Sequence, residues 1–192
     1  GPNFTHFDPN IMHGQEVFGA TIGIIGMGGV GQQVARRAIG FDMKVLYHNR
    51  TEIPEIAADL GASYVSLNEL LSQSDFVTLN VPMTPDTSHL IGQNELALMK
   101  PTAILVNAAR GGVLDHDALL EALRDSTIWA AALDVTDPEP LPRGHPLLTL
   151  SNIVIAPHLG SATRKTRIGM VQRTIENLIA GLTGSKMPSQ VA

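Results

Sequence analysis

The stretch that decides the fold of this chain reads Thr21-Ile22-Gly23-Ile24-Ile25-Gly26-Met27-Gly28-Gly29-Val30-Gly31. An apolar strand runs into the pattern G-x-G-x-x-G, and a helical run over residues 32–39 follows. In this context Gly26 permits a tight turn, Gly28 lets the backbone approach a pyrophosphate, and Gly31 lets the helix pack closely on the strand. The N–H groups and positive dipole at the helix start would hold the phosphates. The pattern therefore favours a dinucleotide site over a flexible glycine-rich loop.

Strand and helix patterns alternate along the chain and predict the fold class. We expect one α/β domain of the Rossmann type, with a doubly wound parallel sheet, because several apolar runs are continuous, as in strands covered on both faces. The predicted strands are residues 20–26, 43–48, 75–81, 102–107, 128–134 and 152–155. The predicted helices are residues 29–40, 53–60, 67–73, 93–98, 115–124 and 161–182. Asp115 and Ser161 are the predicted caps of the last two helices.

Three segments follow from this pattern. Residues 1–19 show no clear period and form a lead-in, in which Gly1-Pro2 looks like the scar of a cleaved tag. Residues 20–160 form the dinucleotide-binding domain, and residues 161–192 form a C-terminal helix and tail. Ligands bind outside the carboxyl ends of the strands in an open parallel sheet. We therefore expect the loops that follow strands to converge on one cleft, namely residues 82–88, 108–114, 135–147 and 156–161.

Composition excludes several classes of protein. The chain has 192 residues, of which 44% are hydrophobic and 16% charged, so it can bury a core and is not disordered. Its net charge of −5, without a basic block, predicts that nucleic acid is not a partner. The absence of cysteine excludes a disulfide framework and a thiol nucleophile. No apolar run approaches the roughly 20 residues that span a bilayer, so no membrane partner is predicted.

The end of the second predicted strand indicates which nicotinamide cofactor fits. An acidic residue about 20 positions past the glycines usually binds the adenine ribose hydroxyls. Here that place holds the neutral Asn49, followed by Arg50 and Thr51. A carboxylate there would repel a 2′-phosphate, whereas a guanidinium can pair with it. The sequence therefore favours NADP(H) over NAD(H), with a solvated surface charge at Arg50 as the alternative.

Three loops present one basic, one acidic and one titrating side chain: Arg110, Glu139 and His158. Reduction of a carbonyl by hydride needs a proton donor near the operating pH, and histidine suits that task. A carboxylate beside it would orient the ring and raise its pKa, and an arginine can grip a substrate carboxylate. The set predicts reduction of a 2-oxo acid, although each residue alone could be an ordinary loop residue. No paired His or Cys spacing predicts a metal site.

These motifs resemble those of the D-isomer-specific 2-hydroxyacid dehydrogenases. The resemblance runs from about residue 15 to the end, and its motifs are residues 26–31, 107–111, 132–135 with 138–140, and 157–163. Residues 140–148 and 177–182 are similar to the glyoxylate/hydroxypyruvate reductase branch, whose members often prefer NADP(H). The family often has a basic residue where this chain has Gly29.

The resemblance implies roles for individual residues. Arg110 would bind the carboxylate and carbonyl oxygen of the substrate, and His158, paired with Glu139, would be the general acid. Asp134 would contact the nicotinamide carboxamide, and Ser161 would lie near the nicotinamide. The implied cofactor-binding set is completed by Gly26, Gly28, Gly29, Val30, Gly31, Asn49, Arg50, Thr51, Val81, Pro82 and Ala108.

The resemblance also implies a second, substrate-binding domain, toward which the tail at residues 161–192 would cross. Because this chain contains little of that domain, we expect it to bind NADP(H) but to turn over substrate poorly. The resemblance further implies a homodimer through the cofactor domain. The chain ends in residues 189–192 without a peroxisomal signal, which predicts a cytoplasmic location. Two alternatives stay open, namely a reductase of another 2-oxo acid such as 2-ketogluconate, and a non-catalytic dinucleotide-binding module.

Overall fold

A computed structural model describes residues 13–190 of the chain. The prediction for Gly1-Pro2, and most of the lead-in segment, lies outside the described residues. The chain divides into two compact units, one ending at Ile155 and the other beginning at Ala156. The predicted boundary after residue 160 concerns the domains of a larger enzyme and stays a prediction.

The first unit is built on one parallel sheet of seven strands, in the order β3-β2-β1-β4-β5-β6-β7. The predicted α/β fold of the Rossmann type is confirmed, and the strand order reverses between β1 and β4. β3 was not predicted, because a two-residue edge strand is too short to show a period. The strands are β1 Thr21–Ile25, β2 Lys44–His48, β3 Ser63–Tyr64, β4 Phe76–Leu79, β5 Ile104–Asn107, β6 Ala130–Leu133 and β7 Ile153–Ile155.

Five α-helices and three short 3₁₀ helices connect these strands. Asp115 caps α5 as predicted, since its Oδ1 accepts the N–H groups of Asp117 and Ala118 at 3.0 Å each. The helices are α1 Gly29–Ile39, α2 Pro54–Asp59, α3 Leu67–Gln73, α4 Gln93–Leu98 and α5 His116–Arg124, with 3₁₀ helices at Pro85–Thr87, Gly111–Val113 and Pro146–Thr149.

The second unit consists of the segment 156–163, one long helix, α6 Arg164–Leu182, and the tail that follows it. The predicted cap at Ser161 is wrong: Thr163 caps the helix, and its Oγ1 accepts the N–H of Thr166 at 3.2 Å. The backbone still turns after Ser161, because the N–H of Thr163 donates to the Ser161 carbonyl oxygen. Apolar side chains of α6, such as Leu178 and Leu182, are exposed.

The core of the first unit lies in two clusters. The larger joins β1, β4, β5 and β6 to α3, α4 and α5, through residues such as Leu70, Leu105 and Leu119. The smaller joins β1 and β2 to α1 and α2, through residues such as Ile24 and Tyr47. β1 is therefore packed on both faces, which holds its carboxyl end, and the glycine turn after it, in place.

The glycine turn depends on close contact between α1 and β1. Gly26 has a φ of +96°, and a Cβ there would lie 2.8 Å from Val81 Cγ1. A Cβ on Gly31 would overlap the carbonyl oxygen of Gly26. The first turn of α1 thus packs directly on the turn that ends β1, as the sequence pattern predicts.

Asp75 ties together the opposite, amino-terminal edge of the sheet. Lys100 Nζ lies 2.7 Å from its Oδ1, and the N–H of Thr21 donates to its Oδ2 at 2.9 Å. Burial raises the pKa of Asp75, but the hydrogen bonds from Lys100 and Thr21 outweigh that effect and leave the pKa below its ordinary value. The ionised carboxylate joins β1 to the chain before β5.

We expect Gly31→Ala to lower the free energy of unfolding by about 1–3 kcal/mol, because overpacking a fixed contact costs that much. Gly29→Ala is the matched control, since no atom lies within 4 Å of the position of its Cβ. That variant should be neutral or more stable by up to about 1 kcal/mol. Denaturant titration followed by circular dichroism measures both, and equal stability of the two variants would contradict the close contact.

Asp75→Asn should lower the free energy of unfolding by about 1 kcal/mol at pH 7, a modest value because the ion pair is partly exposed. A lowered folded-state pKa contributes stability above the unfolded pKa and loses it as pH falls through the folded value. The difference between wild type and variant should therefore shrink below about pH 4. Denaturant titrations from pH 7 to pH 2.5 check this, with the exposed Glu52→Gln as control. A difference that stays constant with pH would assign the effect to packing instead of charge.

Candidate functional site

A cavity of about 520 Å³ opens where the strand order reverses, at the carboxyl ends of β1, β2 and β4. Ligands of open parallel sheets bind at such a switch point, and cavities of this size suit small molecules. The structure gathers seven of the predicted cofactor-binding residues around it: Gly26, Gly28, Asn49, Arg50, Thr51, Val81 and Pro82.

The amino terminus of α1 faces this cavity through Gly28. Gly28 is the N-cap of α1, it is exposed, and no atom lies within 4 Å of the position of its Cβ. The first N–H groups of a helix have no partner within the helix, and its dipole favours an anion there. The glycine turn is therefore an open cradle that fits the diphosphate of a dinucleotide.

Asn49 joins the end of β2 to the glycine turn. Its Oδ1 accepts the N–H of Met27 at 2.8 Å, and its backbone carbonyl oxygen accepts the hydroxyl of Tyr64 at 3.2 Å. The sequence indicated Asn49 only as the residue that replaces an acid. The structure adds that this amide also holds the shape of the turn, and a carboxylate oxygen could accept the same bond.

Arg50 and Asp86 face each other at this cavity. Arg50 Nη1 lies 3.9 Å from Asp86 Oδ2, and both side chains are largely exposed. Sequence reasoning missed Asp86, because it stands in an irregular loop and belongs to no motif. It likewise missed four polar residues that line the cavity: Gln32, Asn80, Thr84 and Thr87.

The other predicted cofactor-binding residues lie elsewhere. Val30 and Ala108 line a second, mostly apolar cavity of about 450 Å³, beside Ile22 and Val106. Gly29 and Gly31 belong to the first turn of α1. Asp134 directly follows β6 and is half-buried, and Ser161 is a half-buried residue of the second unit.

The loop that carries Arg110 is organised by Asn107, which is fully buried at the end of β5. Asn107 Nδ2 donates to the Arg110 carbonyl oxygen, and its Oδ1 accepts the N–H of Ala109, both at 3.0 Å. The exposed Arg110 donates from Nη1 to the Ala109 carbonyl oxygen at 2.7 Å. Asn107 thus positions this loop. In the sequence, an amide residue at the carboxyl end of an apolar strand is the signal that could have indicated this role of Asn107.

Three of the four loops expected to converge meet in the structure. Gly111 packs against the backbone of Thr136, and a Cβ on Gly112 would lie 3.0 Å from Met83 Cε and 3.1 Å from Asp137 Oδ2. These contacts join residues 82–88, 108–114 and 135–147 to one another. Glu139 is an exposed residue of the third loop.

The fourth loop, residues 156–161, belongs to the second unit and carries His158. His158 is exposed and has a φ of +54°, in the left-handed region that non-glycine residues rarely adopt. Such backbone conformations cluster at functional sites. Arg110 and Glu139 therefore lie in one unit and His158 in the other.

Neither a metal-binding cluster nor a membrane-spanning helix is present in the described part of the chain. Within residues 13–190 no group of three or more His, Cys, Asp or Glu side chains could hold a metal ion. In the same range no helix is both long and apolar enough to cross a membrane.

Known proteins share this chain's sequence and fold. A glyoxylate reductase from Aeropyrum pernix is 48% identical over 187 residues, which are 97% of this chain and 56% of the relative. A glyoxylate/hydroxypyruvate reductase B from Yersinia pestis is 50% identical over 173 residues, 90% of this chain and 53% of the relative. The crystal structure of the TT0316 protein from Thermus thermophilus matches with a TM-score of 0.92 at 47% identity, covering 98% of this chain and 59% of that one.

The chain spans about half the length of the curated relatives that it matches. Residues 4–160 match the family described as "D-isomer specific 2-hydroxyacid dehydrogenase, NAD binding domain". This match covers the glycine turn and the cavity around it, and because the family description names an NAD binding domain, the predicted nicotinamide dinucleotide cofactor is supported. The resemblance seen in the motifs is confirmed, and the chain belongs to the D-isomer specific 2-hydroxyacid dehydrogenase family.

Proposed function

We propose that this chain is the cofactor-binding part of an NADP(H)-dependent reductase that converts glyoxylate or hydroxypyruvate to the D-2-hydroxy acid. The observation that carries the proposal is the cavity at the start of α1, with its anion cradle and Arg50 on its wall. The substrate class comes from the names of the relatives, which are glyoxylate reductases and a glyoxylate/hydroxypyruvate reductase.

The preference for NADP(H) is supported by charge at the end of β2. Asn49 and Arg50 line the cavity where members that use NAD(H) would carry an acid. The guanidinium of Arg50 can pair with a 2′-phosphate, and its mostly exposed side chain can reach toward a ligand. NAD(H) lacks that phosphate and gains nothing from this cation.

The proposed catalytic residues are Arg110, Glu139 and His158, with the roles predicted from the sequence. A nicotinamide cofactor bound by this chain would supply the hydride for the carbonyl carbon. Arg110 holds the substrate carboxylate, and its loop is kept in shape by the buried Asn107. His158 donates the proton to the carbonyl oxygen, so that a hydroxyl group forms, and Glu139 is the predicted carboxylate that orients the imidazole.

Further roles complete the proposal. Asp134 and Ser161 serve the nicotinamide end of the cofactor, and Val81, Pro82 and Ala108 line its groove. Val81 and Pro82 lie on the wall of the main cavity, which supports their part. Residues 20–160 are the proposed cofactor domain, and residues 161–192 the tail toward a substrate domain. The homodimer is proposed from the resemblance alone, and the cytoplasmic location from the sequence.

Asn49→Asp should move the ratio of NADPH to NADH affinity by about tenfold toward NADH, about 1.4 kcal/mol. The new carboxylate repels the 2′-phosphate but can still accept the hydrogen bond from Met27. Calorimetric titration with both cofactors measures the ratio. Asn80→Asp is the matched control, because Asn80 lines the same cavity at the end of β4, and there the ratio should stay within twofold. An unchanged ratio in Asn49→Asp would contradict the assignment.

The 192-residue chain should bind NADPH but oxidise it slowly with glyoxylate or hydroxypyruvate, because closure of a second domain normally excludes water from the site. A steady-state absorbance assay with both acids, and with 2-ketogluconate for comparison, measures the rate. Turnover near the typical enzyme value of about 10 s⁻¹ would show that the chain holds a complete site. Failure to bind either nicotinamide cofactor would refute the proposed function itself.

A further inference from the structure

The main cavity carries a single ion pair at its mouth. Among the described residues that line it, Arg50 and Asp86 alone bear a charge at neutral pH. Arg50 follows β2, and Asp86 stands in the 3₁₀ helix Pro85–Thr87 that follows β4. β1 and its glycine turn lie between these two strands, so the pair reaches across the cavity from one wall to the other.

The loop that carries Asp86 is held by its own hydrogen bonds. The N–H of Thr84 donates to Thr87 Oγ1 at 2.8 Å, and the Thr87 hydroxyl donates to the Pro82 carbonyl oxygen at 2.6 Å. Neither bond involves Arg50. The backbone at Asp86 is therefore held in place independently of the arginine, whose long side chain is 91% exposed and can change rotamer.

We infer that Asp86 is a specificity-determining residue, whose carboxylate competes with the 2′-phosphate of NADP(H) for Arg50. The inference rests on the proposed function, namely that this cavity binds NADP(H). A ligand phosphate must draw the guanidinium away from Asp86 and also approach the negative charge of this carboxylate. NAD(H) has a neutral ribose at that point, so Asp86 opposes it much less. Arg50 thus creates the preference for NADP(H), and Asp86 limits it.

The size of the change in NADPH affinity follows from the exposure of the Arg50 and Asp86 side chains. Arg50 and Asp86 lie 3.9 Å apart at the cavity mouth, and Asp86 is 79% exposed, so solvent screens the pair strongly. A ribose phosphate carries about −1.5 to −2 charges near pH 7, which enlarges its repulsion from a neighbouring carboxylate. We therefore expect a change of several-fold in affinity, reduced by salt.

The test compares Asp86→Asn with wild type by titrating the 192-residue chain with NADPH and with NADH. NADPH should bind about three- to tenfold more tightly, NADH should change less than twofold, and the gain should fall in 0.5 M salt. In the Arg50→Gln background the gain for NADPH should be clearly smaller than in wild type, because the competition for the guanidinium is gone and only the direct repulsion between Asp86 and the phosphate remains. Asp86→Ala should give the same result, which guards against an effect peculiar to asparagine.

Glu121→Gln is the control, because it removes a comparable exposed ion pair with Arg124, 3.0 Å apart on α5, and does not line the cavity. It should change neither affinity. Weaker NADPH binding by Asp86→Asn would mean that Asp86 orients Arg50 for the phosphate, and would overturn the inference. An equal change for both cofactors, or a full gain in the Arg50→Gln background, would overturn it while leaving the proposed function intact. A wild-type chain that bound neither cofactor would instead refute the proposed function and the inference together.

Discussion

The contact between the first turn of α1 and the carbonyl oxygen of Gly26 is the constraint on which the site depends. Because Gly31 has no side chain, the helix can begin directly on the turn that ends β1. Its amino terminus then faces the place where the strand order reverses. A helix displaced by one methyl group would aim its N–H groups elsewhere, and the anion cradle would be lost. The close packing of α1 on the turn and the binding of an anion at its amino terminus therefore both require that Gly31 has no Cβ.

Polar side chains at the carboxyl ends of the strands complete the ligand site that begins with this packed turn. Asn49 ties β2 to the glycine turn, and Asn107 ties β5 to the loop of Arg110. The hydrogen bonds of each amide fix the conformation of the nearby backbone. The backbone positions of the neighbouring charged residues, Arg50 and Arg110, are therefore defined. The edge thus combines the half-buried Asn49 and the buried Asn107, which set the geometry, with exposed charges such as Arg50 and Asp86, which would meet the ligand. Family membership fits this arrangement, since the matched region contains the glycine turn and both amides.

Most of the fold could be predicted because the signals were local. Strands with continuous apolar runs and helices with clear caps, such as Asp115 before α5, lay within a few residues of their predicted bounds. β3 was not predicted, because two residues cannot show a period, and it forms by pairing with β2. The predicted cap at Ser161 was wrong because two hydroxyl residues stand close together, and the turn between them makes Thr163 the cap of α6.

The sequence by itself determined the fold class, the glycine turn and the family, because each is written in short motifs whose residues are neighbours in the chain. It also indicated Asn49 and Arg50, since their distance from the glycines is set by one helix and one strand. Only the tertiary structure brought Asp86 to Arg50, and Met83 and Asp137 to Gly112. Those contacts join loops after different strands, and their spacing depends on how the sheet twists and how its helices pack. No local pattern encodes such distances, so the partners of a charge at the cavity had to be read from the folded chain.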